Sequence, residues 1–166
     1  MDVEMQEALQ AFEIRTYAAN QWHATAHNKV AQQAAALAKR LAQLGCTNRF
    51  VVSSVAEGYS LPLVYLAAWR INAAVAPIDC EDRDEELADV IKRLDAAVVV
   101  CETKDAERLD RLTPVPVLAS LVTNEACDAP PVPFASDAYA HCFFTSGSTG
   151  RPKGCLVTRN ALATYA

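Results

Sequence analysis

Glycine is scarce in this chain, five residues in 166, and three of the five fall between positions 147 and 154. Positive charge is also short, with 15 Lys and Arg against 20 Asp and Glu and a net charge of −5. That balance leaves no basic footprint for nucleic acid or for an anionic membrane. No run of 18 apolar residues is present, so no transmembrane helix is expected. The acidic start, Met1-Asp2-Val3-Glu4, lacks the charged-then-apolar pattern of a secretory signal. The six cysteines (46, 80, 101, 127, 142 and 155) form no C-x-x-C pair, and His23, His27 and His141 show no partner spacing. No metal site is expected on that basis, and each histidine reads as structural or surface. Cysteines in apolar runs such as Val100-Cys101 act as small buried hydrophobes, and a reducing, cytoplasmic compartment suits them.

What is present describes a globular α/β chain. Hydrophobic residues make up 52% and charged residues 21%, enough to build a core in one domain. Residues 1–21 have weak periodicity and are not assigned. Val30, Ala34, Leu37, Leu41 and Leu44 then advance by four, three, four and three, one apolar face of a helix. Asn28 is its expected N-cap and Gly45 its C′ residue. Strands are expected at Phe50–Val55, Ala73–Ile78, Ala96–Val100 and Val115–Leu118. Between them lie helices at Leu61–Ile71, at the acid-led segment from Glu81 to Leu94, and at Asp105–Leu112. Leu87, Val90, Ile91 and Leu94 form the core stripe of the second of these helices. Apolar strands alternating with amphipathic helices predict a mainly parallel sheet covered on both faces. A proline-rich connector at about 124–136 separates this part from a strand, Ala138–Phe144.

That last strand delivers the densest stretch of the sequence, Phe144-Thr145-Ser146-Gly147-Ser148-Thr149-Gly150-Arg151-Pro152-Lys153-Gly154. Glycine lets the main chain approach a ligand, and successive backbone N–H groups form an anion-binding concavity. The hydroxyls of Thr145, Ser146, Ser148 and Thr149 add donors, and Lys153 adds a compact mobile cation. A Gly-Ser-Thr-Gly run alone suits a turn between strands; the whole string suits a polyphosphate. It is not a Walker A loop, because the place of that motif's second glycine is taken by Pro152. Asp79 closes a strand and is expected in a turn or capping role.

The string resembles the signature loop of the adenylate-forming enzymes: acyl- and aryl-CoA ligases, luciferases and peptide-synthetase adenylation domains. The likeness extends over Leu37–Gly45 and over the segment from Leu61 to Asp79. The Pro77-Ile78-Asp79 ending leans toward the amino-acid-activating branch. Two departures stand out: Asn72 where the family has glycine, and Arg159 where the family commonly has histidine. The resemblance implies the N-terminal part of the large domain of such an enzyme, residues 1–166 forming a partial AMP-binding domain. The C-terminal lid and the segments that hold adenine, ribose and the acid would follow Ala166, so these residues alone are expected to be inactive.

The implied reaction is ATP-dependent, Mg²⁺-assisted activation of a small carboxylic or amino acid as acyl-adenylate, with release of pyrophosphate. Transfer to a thiol follows, on CoA or on the phosphopantetheine arm of a carrier protein. The motif assigns Lys153 as the catalytic cation. It places Thr145, Ser146, Gly147, Ser148, Thr149, Gly150, Lys153 and Gly154 against the phosphates, with no metal ligand among them. The alternative is a non-catalytic α/β module that keeps the loop to bind a nucleotide or partner.

Overall fold

The computed structural model describes residues 13–18, 21–55, 60–121, 135–145 and 152–165. Strands β1 (Glu13–Ala18) and β2 (Gln21–Ala26) pair antiparallel as a separate two-stranded sheet. Sequence reading left this hairpin out, because its short strands lack a strong alternation and no Asn-Gly or Asp-Gly pair marks the turn. Helix α1 (His27–Gln43) follows, and then β3 (Phe50–Ser53), α2 (Ser60–Arg70), β4 (Ala74–Pro77) and α3 (Asp84–Arg93). The chain continues through β5 (Val98–Val100), a 3₁₀ turn at Thr103–Asp105, α4 (Ala106–Leu112) and the edge strand β6 (Val117–Leu118). Strand β7 (Tyr139–Thr145), strand β8 (Lys153–Thr158) and helix α5 (Arg159–Tyr165) complete the described elements.

Among the described residues the main sheet has six strands in the order β6-β5-β3-β4-β7-β8. All of its neighbouring pairs are parallel except β7 and β8, which are antiparallel. The expected parallel α/β sheet is therefore present, with an antiparallel strand at one edge. Alternation along the strands divides the core. Val51, Val75, Val98 and Val100 pack with Leu37, Leu41, Leu63 and Ala67 of α1 and α2. Val52, Ala76 and Val99 pack with Leu87, Ile91 and Leu109 of α3 and α4 on the other face. Each fully buried leucine contributes roughly 1.5–3 kcal/mol by leaving water.

Three helices end in the same device. After α1, Gly45 has φ +76°, and the N–H groups of Cys46 and Gly45 donate to the carbonyls of Leu41 and Ala42. After α2, Asn72 (φ +56°) and Ala73 repeat the pattern onto Trp69 and Ala68, and after α3 Asp95 (φ +47°) and Ala96 do so onto Lys92 and Ile91. These are Schellman caps, and they require a left-handed residue at C′. Asn and Asp tolerate that conformation better than other side chains. Asn72, which stands where the family has glycine, thus takes a left-handed conformation.

The helix starts differ from expectation. Ala26 is the N-cap of α1 and makes no side-chain cap bond; Asn28 instead accepts from the adjacent Lys29 N–H, at 2.7 Å. Leu44, expected on the core stripe, is 38% exposed because the helix has ended and Leu44 is its C-cap. Most of the proline-rich connector lies outside the described residues. Among the described residues, no helix is long and apolar enough to cross a membrane.

Candidate phosphate-binding hairpin

Since β7 runs parallel to β4, its final residue Thr145 lies at the edge where β3, β4 and β5 also end. Open α/β sheets bind ligands outside that carboxyl edge. β8 carries the chain back, with Phe143 opposite Cys155, Phe144 opposite Gly154 and Thr145 opposite Lys153. Lys153 and Gly154 are therefore strand residues, the first two of β8. Directly opposed residues share a sheet face, so Lys153 is on the face of Thr145, and Gly154 is on the face of Phe144.

Of the eight expected phosphate contacts, Thr145, Lys153 and Gly154 are thus brought together at one end of the hairpin. The Thr145 hydroxyl donates to the Lys153 carbonyl at 3.5 Å, and Lys153 is exposed. Ser146, Gly147, Ser148, Thr149 and Gly150, together with Arg151, lie outside the described residues. Gly154 sits where room is tight, and no positive φ calls for glycine there. A Cβ there would meet Cys142 Sγ at 3.2 Å and Phe144 Cε1 at 3.4 Å.

The hairpin leans on β4 through a single registered pair, Val75 opposite His141, and side chains from the flanking helices supply further attachment. From α3, the Arg93 guanidinium donates to the Pro152 carbonyl at 2.9 Å and lies 5.9 Å from the Phe144 ring centre. From α2, the Trp69 indole N–H donates to the Ala140 carbonyl at 3.0 Å. One turn earlier, the Tyr65 hydroxyl hydrogen-bonds His141 Nδ1, and the two rings stack 5.4 Å apart at 10°. Burial pushes the Tyr65 phenol up to about 12 and holds the His141 imidazole below its ordinary value of 6.5. Tyr65 therefore donates and neutral His141 accepts. His141 Nε2 is buried with no hydrogen-bond partner among the described residues. The structural role expected of His141 fits this packing. The side chains of His23 and His27 lie outside the described set.

Sequence reading missed Arg93, Tyr65 and Trp69. Arg93 fell near the end of the helix expected from Glu81 to Leu94, and the two aromatics fell within the helix expected at Leu61–Ile71. Arg159, noted only as a departure, is buried at the start of α5. It donates to Asn72 Oδ1 at 2.7 Å and to the Trp69 carbonyl. The two departures from the family pattern therefore touch each other.

Elsewhere along the carboxyl edge the polar groups tie the fold together. Asp79 Oδ1 accepts the Glu81 N–H at 2.9 Å, the turn role expected of it. Arg108 donates to Asp84 Oδ1 at 2.8 Å and to the carbonyls of Asp82 and Cys80, gathering the acidic start of α3. Cys46, Cys80, Cys101, Cys142 and Cys155 are free thiols. Burial raises Cys46 and Cys101 to about 11. Among the described residues no three His, Cys, Asp or Glu side chains are grouped to hold a metal ion.

A family model described as "AMP-binding enzyme" matches residues 5–166. Malformin synthetase mlfA of Aspergillus brasiliensis is 30% identical over 137 residues, which cover 78% of this chain and 3% of that protein. Among solved structures, McyG A-PCP complexed with phenylalanyl-adenylate matches with a TM-score of 0.84 at 17% identity, over 98% of this chain and 28% of that chain. ATP-bound MatB from Rhodopseudomonas palustris matches with a TM-score of 0.77 at 21% identity, over 86% of this chain and 31% of that chain. At these identities the two structures speak for the fold alone. The chain spans less than a third of the length of each of these three proteins.

Proposed function

Because the chain belongs to the AMP-binding enzyme family, we propose that it supplies the pyrophosphate grip of an enzyme that activates a carboxylic acid as its acyl-adenylate. The observation that carries this reading is Lys153 held opposite Thr145 at the carboxyl edge of the sheet, on the far side of a run of glycines and hydroxyls. In the reaction, a carboxylate oxygen of the acid bonds to the α-phosphorus of ATP, and the bond from that phosphorus to the bridging oxygen breaks. Negative charge builds on the departing β- and γ-phosphates. The Lys153 ammonium and the N–H and hydroxyl donors of Thr145 to Gly150 offset that charge where it develops.

Mg²⁺ would be carried on the nucleotide phosphates, its usual mode of binding, and would add further charge neutralisation there. The acid is an amino acid or another small carboxylic acid, and Pro77-Ile78-Asp79 favours the former. The acyl group then passes to a thiol of CoA or of a carrier protein's phosphopantetheine arm. On this reading residues 1–166 hold the pyrophosphate and do not complete the reaction alone.

Titration of the chain with inorganic pyrophosphate tests the grip. Saturable binding that Lys153→Ala weakens is expected, and unchanged binding in that variant would remove Lys153 from the role. Exchange of labelled pyrophosphate into ATP tests the second point. Vigorous acid-dependent exchange by the 166 residues would overturn the claim that they are inactive alone.

A further inference from the structure

The hairpin does not keep one register. From His141 opposite Val157 to Thr145 opposite Lys153 the pairs are in step, but Tyr139 faces Thr158, one position out. Ala140 is therefore an extra residue with no Cα partner across the hairpin, a β-bulge. Ala140 is fully buried, so its backbone carbonyl needs a partner away from water. That partner is the Trp69 indole N–H, at 3.0 Å.

Trp69 also meets the other strand's end, since its own carbonyl accepts from the buried Arg159 guanidinium directly after β8. Arg159 is held in turn by Asn72, and its N–H donates to the Ala138 carbonyl at 2.9 Å. One residue of α2 thus fastens both strands where the hairpin begins, at the end opposite the loop.

The bulge decides where Lys153 goes. Side chains alternate between faces, so a slip of one residue moves every side chain of a strand to the other face. Continuing the Tyr139–Thr158 register without the bulge would set Lys153 opposite Phe144 and Cys155 opposite Cys142. Lys153 would then leave the face it shares with Thr145 for the face that carries Phe144.

We propose that Trp69, braced by Arg159, is a positioning residue that fixes the bulge at Ala140 and so sets the register of the phosphate-binding hairpin. The consequence for phosphate binding rests on the function proposed above; the register itself does not.

The native thiols provide the test. In the observed register Cys142 faces Leu156 and Cys155 faces Phe143, which puts the two thiols on opposite faces. In the slipped register they oppose each other directly, at a separation a disulfide spans. Trp69→Phe keeps a ring and loses the N–H donor. With glutathione disulfide as oxidant, Trp69→Phe is expected to form the Cys142–Cys155 disulfide at least about tenfold faster than the unaltered chain. That factor corresponds to one lost hydrogen bond at the bulge. Phe143→Cys in the otherwise unaltered chain is expected to link to Cys155 instead.

If Trp69→Phe does not fold, benzothienylalanine at position 69 keeps the bicyclic shape without the N–H and is expected to give the same disulfide. A folded variant that forms no Cys142–Cys155 link overturns the proposal. Pyrophosphate titration separates the two readings. Cross-linking with weakened pyrophosphate binding supports both. Cross-linking with unchanged binding leaves the register role standing and removes the phosphate grip.

Discussion

Strand β5 lies inside the six-stranded sheet and β8 forms one of its edges. Val98, Val99 and Val100 of β5 are all fully buried, whereas Lys153, Gly154, Cys155 and Leu156 of β8 are exposed. Helices cover β5 on both faces, so apolar burial adds to its ladders with β3 and β6. β8 is held by its ladder with β7, by Arg93 at the residue before its start, and by Arg159 at the residue after its end. The two strands show two ways of securing backbone in one sheet. Apolar burial fixes a strand's depth in the core, whereas directional bonds fix the position of a strand whose side chains stay exposed.

The first way to break that comparison is to damage the core. Leu41 is fully buried and also carries the Schellman carbonyl at the end of α1. Leu41→Ala should cost about 2–5 kcal/mol, read as a lower denaturant midpoint with an unchanged slope. A loss below about 1 kcal/mol would mean that the covered face is not packed as described.

The second works on the hairpin. Lys153→Ala removes an exposed side chain, so the melting temperature should stay within experimental scatter. Pyrophosphate affinity should fall roughly 10- to 100-fold, the value of one charge-assisted hydrogen bond. Equal losses of stability and affinity would merge the two regions that the structure separates.

A third measurement sharpens the boundary between them, where His141 is buried against α2. Its folded-state pKa is depressed by burial. Below about 6.5 the unfolded chain binds a proton that the folded chain resists, so stability falls as pH falls through that value and is fully present above it. His141→Gln should flatten this dependence relative to the unaltered chain, in melting temperatures taken across that pH range. An unchanged slope would show that His141 is not held neutral.

The smallest effect is one of order among thiols. Alkylation should reach Cys155, exposed on β8, before Cys46 and Cys101, which are buried and raised to about 11. Mass mapping of a partial reaction decides it, because thiolate fraction and access both control the rate. Early labelling of Cys101 would place the end of β5 outside the core.

Much of the fold was legible because its causes are local. The stripe Val30, Ala34, Leu37 and Leu41 reports helical period directly, and Gly45 marks backbone that turns left-handed. Runs such as Val98-Val99-Val100 declare a strand covered on both faces. The candidate site was legible as a string, Thr145 to Gly154, since a polyphosphate demands donors and a cation within a short reach. Sequence reading lost β1 and β2 because weak alternation competes poorly with other assignments. It misjudged Leu44 because a period says nothing about where the last turn stops. Trp69 read as one more apolar helix residue, since its partner Ala140 is 71 positions away.

What the amino-acid sequence determined by itself is therefore most of the strands and helices from α1 onward and the alternation that makes the chain α/β. Those follow from rotamer, period and charge, which act over a few residues. Tertiary structure alone decided the strand order, the antiparallel edge, the contact of Arg159 with Asn72, and the bulge that sets Lys153 opposite Thr145. Each of these depends on which backbone groups must find partners once distant segments are buried together. No short window of sequence contains both halves of such a bond.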